Sequence, residues 1–379
     1  MSDPNPSPPA PAEKSANPDP APPKGAGEAV QTQEPSPSMD TPSNGWRRWT
    51  TLRDVPTMGE SALLAVACVG LVFLVWHILT MGEVGQRIVN AYNLPSISET
   101  FGSFKSLWFD RALTLSAVAS LARVIGGFMI SVAIGVPLGV IAGSYLRVNA
   151  FLKPLNIFGR NIPIAALIPL TLMWFGIDEV QKVMFIFLAS VAFVLFDATS
   201  AVQAVPDRYL DTAYTLGAHR RGKKAIAGAC IAGGIYALCF AVGAFFLERS
   251  TEGVAVPETA VILQSFAVRA VVGFALGGLL WYPILNHQAI RHVLLPLALP
   301  DMVNSLRLLF GLAFGYIMLA EIINAKRGLG ALITMSQRQG PREHIYLCLI
   351  IISMLAYGID RLILWIQRVA FPHVKNVQN

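Results

Sequence analysis

The chain has 379 residues, of which 54% are hydrophobic and only 14% charged, with a mean hydropathy of +0.54. Soluble domains carry about 25% charged residues, so this composition belongs to a bilayer protein rather than a water-soluble one. The formal net charge of +6 does not indicate a nucleic-acid binder, because the basic residues cluster between apolar runs, where they orient membrane segments, and form no basic-aromatic surface.

Residues 1–45 are Pro, Ala, Ser and acidic residues with almost no large apolar side chain. Such a segment cannot bury enough surface to offset its ordering entropy and reads as a disordered cytoplasmic tail. No apolar core follows a basic start, so it is not a secretion signal. Residues 46–110 hold a basic, aromatic collar (Trp46-Arg-Arg-Trp49, Arg53), a first apolar span near 60–80 and a polar outer segment. Arginines beside a span place that side, and with it the N-terminus, in the cytoplasm.

Residues 111–220 open with Leu113–Gly143, longer than one straight span needs. Gly135, Gly139 and Gly143 recur every four residues and leave a groove in which another helix can lie close. Arg147, Lys153 and Arg160 mark a cytoplasmic turn. The next span, Ile162 to Gly176, contains Pro163 and Pro169, which free backbone carbonyls and bend a membrane helix. A span at 182–203 returns the chain to the cytoplasm.

Residues 221–286 contain two further apolar runs, Ala225–Leu247 and about 268–285, with basic residues at the inner ends and Glu248, Glu252 and Glu258 between them. They read as an inserted transmembrane hairpin on an in–out–in path, packed outside the core; a soluble apolar subdomain is the alternative. Residues 287–371 supply spans at 301–323 and 345–369, and 372–379 form a cytoplasmic tail. The sum is an all-α integral membrane protein of about eight transmembrane helices with both termini cytoplasmic.

The four cysteines lie inside apolar runs without metal-ligand spacing, as small buried hydrophobes. Gly217-Ala-His-Arg-Arg-Gly222-Lys223-Lys224 matches a P-loop up to its last position, where the Ser or Thr that ligates magnesium is replaced by Lys224. No nucleophile elbow, zinc helix or carboxylate pair follows, so an enzyme is not indicated. Charges inside spans are costly and each needs a partner or a function. Arg123, Asp197, Arg307, Glu321 and Asp360 are such residues, each read first as part of a salt bridge that locks helices together. Arg307 and Asp360 suggest a structural ion pair, with Asp197 the reserve partner for Arg307, while Arg123 and Glu321 are also candidates for the substrate path.

Two separated stretches carry the clearest pattern: Tyr209-Leu-Asp-Thr-Ala-Tyr-Thr-Leu-Gly217-Ala-His219 and Ile290-Arg-His-Val-Leu-Leu-Pro296-Leu-Ala-Leu-Pro300. Joined across the insertion, Asp211-Thr-Ala213, Gly217 and Val293-Leu-Leu295-Pro296 resemble the cytoplasmic "EAA" loop of ABC importer permeases. The Pro-rich span with Trp174-Phe-Gly176, then Ala320-Glu321, Gly328-Leu-Gly330 and Asp360-Arg361, follows in that family's order. The resemblance runs from about Leu113 to Phe371 and is to permeases of the nitrate, sulfonate, taurine and bicarbonate type. It implies a type I importer permease fold in a bacterial inner membrane and a homodimer. It also implies separate ATPase subunits that bind ATP and magnesium, a periplasmic substrate-binding protein, and a small, anionic solute. Asp211, Ala213, Gly217, His219, Leu295 and Pro296 then form the ATPase-docking loop. Asp211 stands where the family has Glu, one methylene longer. An ion-coupled secondary transporter is the alternative, but it leaves the docking loop unexplained and calls for internally repeated halves that are not visible.

Overall fold

The computed structural model describes residues 57–82, 85–177, 179–218, 225–249 and 259–372, with side chains at all of these except 240–249, 259–269 and 324. No strand occurs among the described residues. Helix α1 (Met58–Leu79) opens with a reciprocal cap, Thr57 N–H to the Glu60 carboxylate and Glu60 N–H to the Thr57 hydroxyl. Residues up to Gly70 fall in a unit of their own; from Leu71 onward the chain is one compact body.

That body begins with a polar segment bearing two short helices, α2 (Ile97–Gly102) and α3 (Phe104–Phe109). Arg87 grips Glu99 through Nη1–Oε2 at 3.1 Å and Nη2–Oε1 at 2.9 Å, and Glu99 closes a capping box with Ser96. The Arg87 guanidinium, then the Ser96 N–H, holds the Glu99 carboxyl down to about 2, from an ordinary 4.5. A depressed folded-state value stabilises fully above the unfolded value and is lost as pH falls through the folded one. The segment is therefore expected to loosen between pH 4.5 and about 2. Fluorescence of Trp76, whose Nε1 donates to the Pro95 carbonyl at 2.9 Å, reports the change. Glu99→Gln should show the loosened signal already at neutral pH.

Helix α4 (Leu113–Ser144) and helix α7 (Glu179–Gln203) form the spine of the bundle. A Cβ on Gly139 would sit 2.5 Å from the Ala198 Cβ, and one on Gly143 2.6 Å from the Val202 Cβ; Gly127 and Gly135 meet Ile186 and Val194 in the same way. The glycine groove thus holds α7 at backbone contact, where close packing supplies the attraction that the bilayer does not. These pairings advance together along both helices, so α4 and α7 run parallel.

Parallel neighbours require the chain between them to recross the bundle. It does so in two pieces, α5 (Leu146–Asn161) and the pair formed by a 3-10 turn (Ile164–Ala166) with α6 (Leu167–Phe175), bent by 88°. Pro163 holds Ile162 extended (φ −66°, ψ 127°) and sets the break. Pro169 falls in the first turn of α6, where a missing N–H costs nothing. The Pro-rich span expected over 162–176 is hence only the second half of a broken crossing that starts at Leu146.

Helix α8 (Asp207–Thr215) follows α7. The inserted hairpin is α9 (Ala225–Arg249) and α10 (Thr259–Asn286). Gly273 and Gly277 place α10 against the backbone of α9 near Ala237 and Ala232. A π turn (Ile290–Leu294) leads into α11 (Leu295–Asn324), then α12 (Leu329–Gln339) and α13 (Glu343–Ala370). Among the described residues, five helical stretches are long and apolar enough to cross a membrane, with the bent pair a sixth; α9 and α10 add shorter apolar stretches, Ala225–Cys239 and Ala270–Asn286.

Among the described residues, two apolar clusters hold the bundle. The larger joins Leu107, Val124, Phe128, Phe185, Phe310, Phe314, Ile317, Leu329 and Leu347, with Phe128 and Phe310 edge to face at 5.3 Å. The other lies at the α8 end and joins Val140, Ala198, Val202, Ile284, Ile290, Leu294, Ala298 and Met302. The hairpin reaches the bundle through Ile284, which is fully buried in this second cluster, and through the Tyr236 hydroxyl, which donates to the Ala133 carbonyl and accepts from Trp281 Nε1 at 3.1 Å.

Candidate functional site

The two halves of the split stretch meet in space. Leu210 of α8 and Leu295 of α11 both pack against the second apolar cluster, which contains Ile290 and Leu294 of the π turn. Pro296 explains that turn. It has no N–H for the carbonyl of His292 and its ring would clash there, so the preceding turn widens and Leu295 N–H bonds the Ile290 carbonyl instead.

Helix α8 has an apolar inner face made of Leu210 and buried Ala213. Asp211, Thr212, Thr215 and Leu216 lie exposed, and Leu216 is 83% open, an unusual position for a leucine. The helix ends in a Schellman motif, Ala218 N–H to Ala213 O and Gly217 N–H to Tyr214 O, both 3.0 Å. That closure needs a left-handed residue, and Gly217 supplies it at φ +87° with open space where a Cβ would be. Leu295 is half-buried and Pro296 exposed beside this platform. His219 lies outside the described residues.

At the opposite end, where α12 lies, the structure brings Arg123 and Glu321 together with two residues the sequence reading had not singled out. Arg123 Nη1 meets Glu321 Oε1 at 2.6 Å and the Arg327 carbonyl at 2.7 Å, and its other edge grips Glu179. Lys182 Nζ lies 2.7 Å from Glu179 Oε1. Glu321, 1% exposed, also accepts from the Ser120 hydroxyl at 2.7 Å and from Gly330 N–H at 2.9 Å. Two cations and two anions thus balance, joining α4, α7, α11 and α12. Glu179 and Lys182 had a visible signal, as charged residues at the start of an apolar run three positions apart.

Arg307 Nε and Asp360 Oδ1 lie 3.4 Å apart, the first side chain 10% and the second 38% exposed. Arg307 Nε makes no aligned hydrogen bond, so the contact is one of charge. Asp197 forms no ion pair among the described residues.

A family described as "Binding-protein-dependent transport system inner membrane component" matches residues 135–248 and 286–376, more than half of the chain. The chain belongs to this family. It is the transmembrane permease component of a binding-protein-dependent ABC transporter, a multi-pass membrane protein whose membership implies an ATPase and a solute-binding protein as partners. The residues between the two matched parts fall inside the expected insertion, although the match runs on to residue 248. Among relatives, a putative ABC transporter permease of Methanocaldococcus jannaschii is 30% identical over 166 residues, 43% of this chain and 60% of that one. The taurine transport system permease of Escherichia coli is 24% identical over 271 residues, 72% and 74% of the two chains. A putative aliphatic sulfonates transport permease of Bacillus subtilis is 23% identical over 299 residues, 78% and 82%. A chain of the inward-facing MetNI methionine ABC transporter is 18% identical with a TM-score of 0.43, covering 68% of this chain and 95% of that chain.

Proposed function

We propose that this permease forms the membrane path of an ATP-driven importer for a small anionic solute of the sulfonate, taurine, nitrate or bicarbonate kind. Two copies would be served by two ATPase subunits at the α8 end, which bind ATP and magnesium, and by a periplasmic binding protein at the α12 end. The membrane is a bacterial inner membrane with both termini in the cytoplasm. The observation that carries the reading is the α8 platform: an apolar inner face seated on the bundle, and an outer face of Asp211, Thr215 and Leu216 left open. Asp211, Gly217, His219, Leu295 and Pro296 act as the docking residues of this loop, and Ala213, buried beneath α8, seats it on the bundle. Closure of the ATPases pushes α8, and the second apolar cluster passes the push to α4, α7 and α11. Arg123 and Glu321 serve as a lock between helices at the far end, since both are fully engaged. Arg307 and Asp360 tie α11 to α13.

Co-purification of the ATPase subunit with permease variants tests this. Leu216→Asp is expected to cut recovery of the ATPase at least tenfold while leaving the permease's unfolding midpoint unchanged, because Leu216 touches little of its own chain. Gly217→Val should weaken recovery through the helix end, at a cost of about 1–2 kcal/mol for a left-handed non-glycine residue, with Gly217→Asn milder. Full ATPase recovery by Leu216→Asp would sink the docking assignment.

A further inference from the structure

Helix α13 carries two charges near its middle. At ~1.5 Å per residue, Asp360 and Arg361 lie ~5 and ~7 Å from the midpoint of Glu343–Ala370, inside a hydrocarbon layer ~30 Å thick. Asp360 faces Arg307, but Arg361 is exposed and has no carboxylate partner among the described residues. Its guanidinium does not reach out toward the nearer end of the helix, as a snorkelling arginine would. Arg361 Nε donates to the Tyr357 hydroxyl at 2.9 Å and Cζ lies 4.9 Å from the Tyr357 ring, which holds the charge one turn closer to the middle.

The stripe around it is open too. Met354, Tyr357, Gly358 and Trp365 share that face and are exposed, whereas Ile352, Leu355, Ile359 and Ile363 of the opposite face pack into the larger cluster. A cation aimed at midspan is costly against hydrocarbon, so this stripe is not a lipid face. A dry contact with a second copy through the same stripe is also disfavoured, because a two-fold operator would bring two unpaired guanidinium groups together without water.

We propose that this face of α13 borders a hydrated solute path and that Arg361 is an anion-binding station in it, taking the oxyanion group of a small solute. The inference rests on the permease reading and adds the site. With Nε given to Tyr357, both terminal nitrogens of Arg361 remain for two-point hydrogen bonding to a sulfonate, carboxylate or nitrate. The Tyr357 hydroxyl, an acceptor toward Arg361, keeps its own proton to donate to the same anion. Arg307 engages Asp360, so the neighbouring carboxylate does not neutralise the station.

Thiol labelling tests the site without requiring transport. A cysteine at Gly358, where an added Cβ meets nothing within 4 Å, lies one turn from Arg361. The Gly358→Cys permease, with Cys68, Cys230, Cys239 and Cys348 replaced by alanine, is assembled with its ATPase in nanodiscs of zwitterionic lipid. It is then treated with 2-sulfonatoethyl methanethiosulfonate or its trimethylammonium counterpart. Both reagents are expected to react, the anionic one favoured over its ratio at a free thiol. Arg361→Gln should lower that ratio roughly tenfold, the scale of one nearby unit charge in a partly hydrated setting, while Arg361→Lys keeps it. In the parent, a tenfold rise in salt should collapse the same ratio, a readout that needs no change at Arg361. A Gly358→Cys thiol inert to both reagents would overturn the path, and so would one captured by the second copy as a disulfide. A ratio indifferent to Arg361→Gln and to salt would overturn the station. Failure of the permease reading shows separately, as loss of the ATPase from the assembly.

Discussion

Arg123→Met is expected to destabilise the bundle by about 3–5 kcal/mol, the cost of leaving a buried charge without its partner. The substitution strips Glu321, 1% exposed, of the cation that pairs with it among the described residues, and leaves it with the Ser120 hydroxyl and Gly330 N–H. Glu179 keeps Lys182 at 2.7 Å. Adding Glu321→Gln removes the stranded charge while preserving an acceptor for both remaining donors. The Arg123→Met/Glu321→Gln protein should therefore be more stable than Arg123→Met alone, by unfolding midpoint in detergent. A double variant as unstable as the sum of the two singles would show that Arg123 acts through packing rather than through charge.

Gly328→Ala should cost more than about 3 kcal/mol, through two effects that compound. Gly328 has φ +139° and ψ 163°, a region that costs other residues about 1–3 kcal/mol. An added Cβ would also lie 2.5 Å from Glu321 Cδ and Oε2. That carboxylate cannot retreat, because Arg123, Ser120 and Gly330 hold it from three sides. Gly340 separates the two effects: its φ is +106°, but nothing lies within 4 Å of an added Cβ. Gly340→Ala should lose only the backbone share and remain folded at temperatures where Gly328→Ala has lost its helical signal by circular dichroism. Equal losses at the two positions would falsify the clash.

These contacts also mark where sequence reasoning reached and where it stopped. The groove of Gly135, Gly139 and Gly143 was legible because its spacing is local, and the helix that fills it is forced by the same small residues. The two halves of the α8 platform were legible through the spacing that returns once the insertion is set aside. The four-charge cluster was only half visible. Arg123 and Glu321 announce themselves as charges within apolar runs, but their link to Glu179 depends on the start of α7 lying beside α4, which no local pattern specifies. The broken crossing was misjudged for a related reason. Pro163 signals a bend, yet only the parallel arrangement of α4 and α7 reveals that amphipathic α5, with Lys153 and Arg160 on it, belongs to the same passage.

The π turn between hairpin and bundle sets a phase relation. An α-helix advances about 100° per residue, so the one extra residue held in Ile290–Leu294 fixes the rotational setting of α10 against α11. Removing a single residue there would let the turn tighten into ordinary helix and swing α10 by about a quarter of a circle. Ile284 would leave its fully buried place and Trp281 its bond to Tyr236. The length of this stretch is thus under stricter control than its composition: a substitution at exposed Arg291 changes one side chain, whereas a deletion re-indexes the whole hairpin.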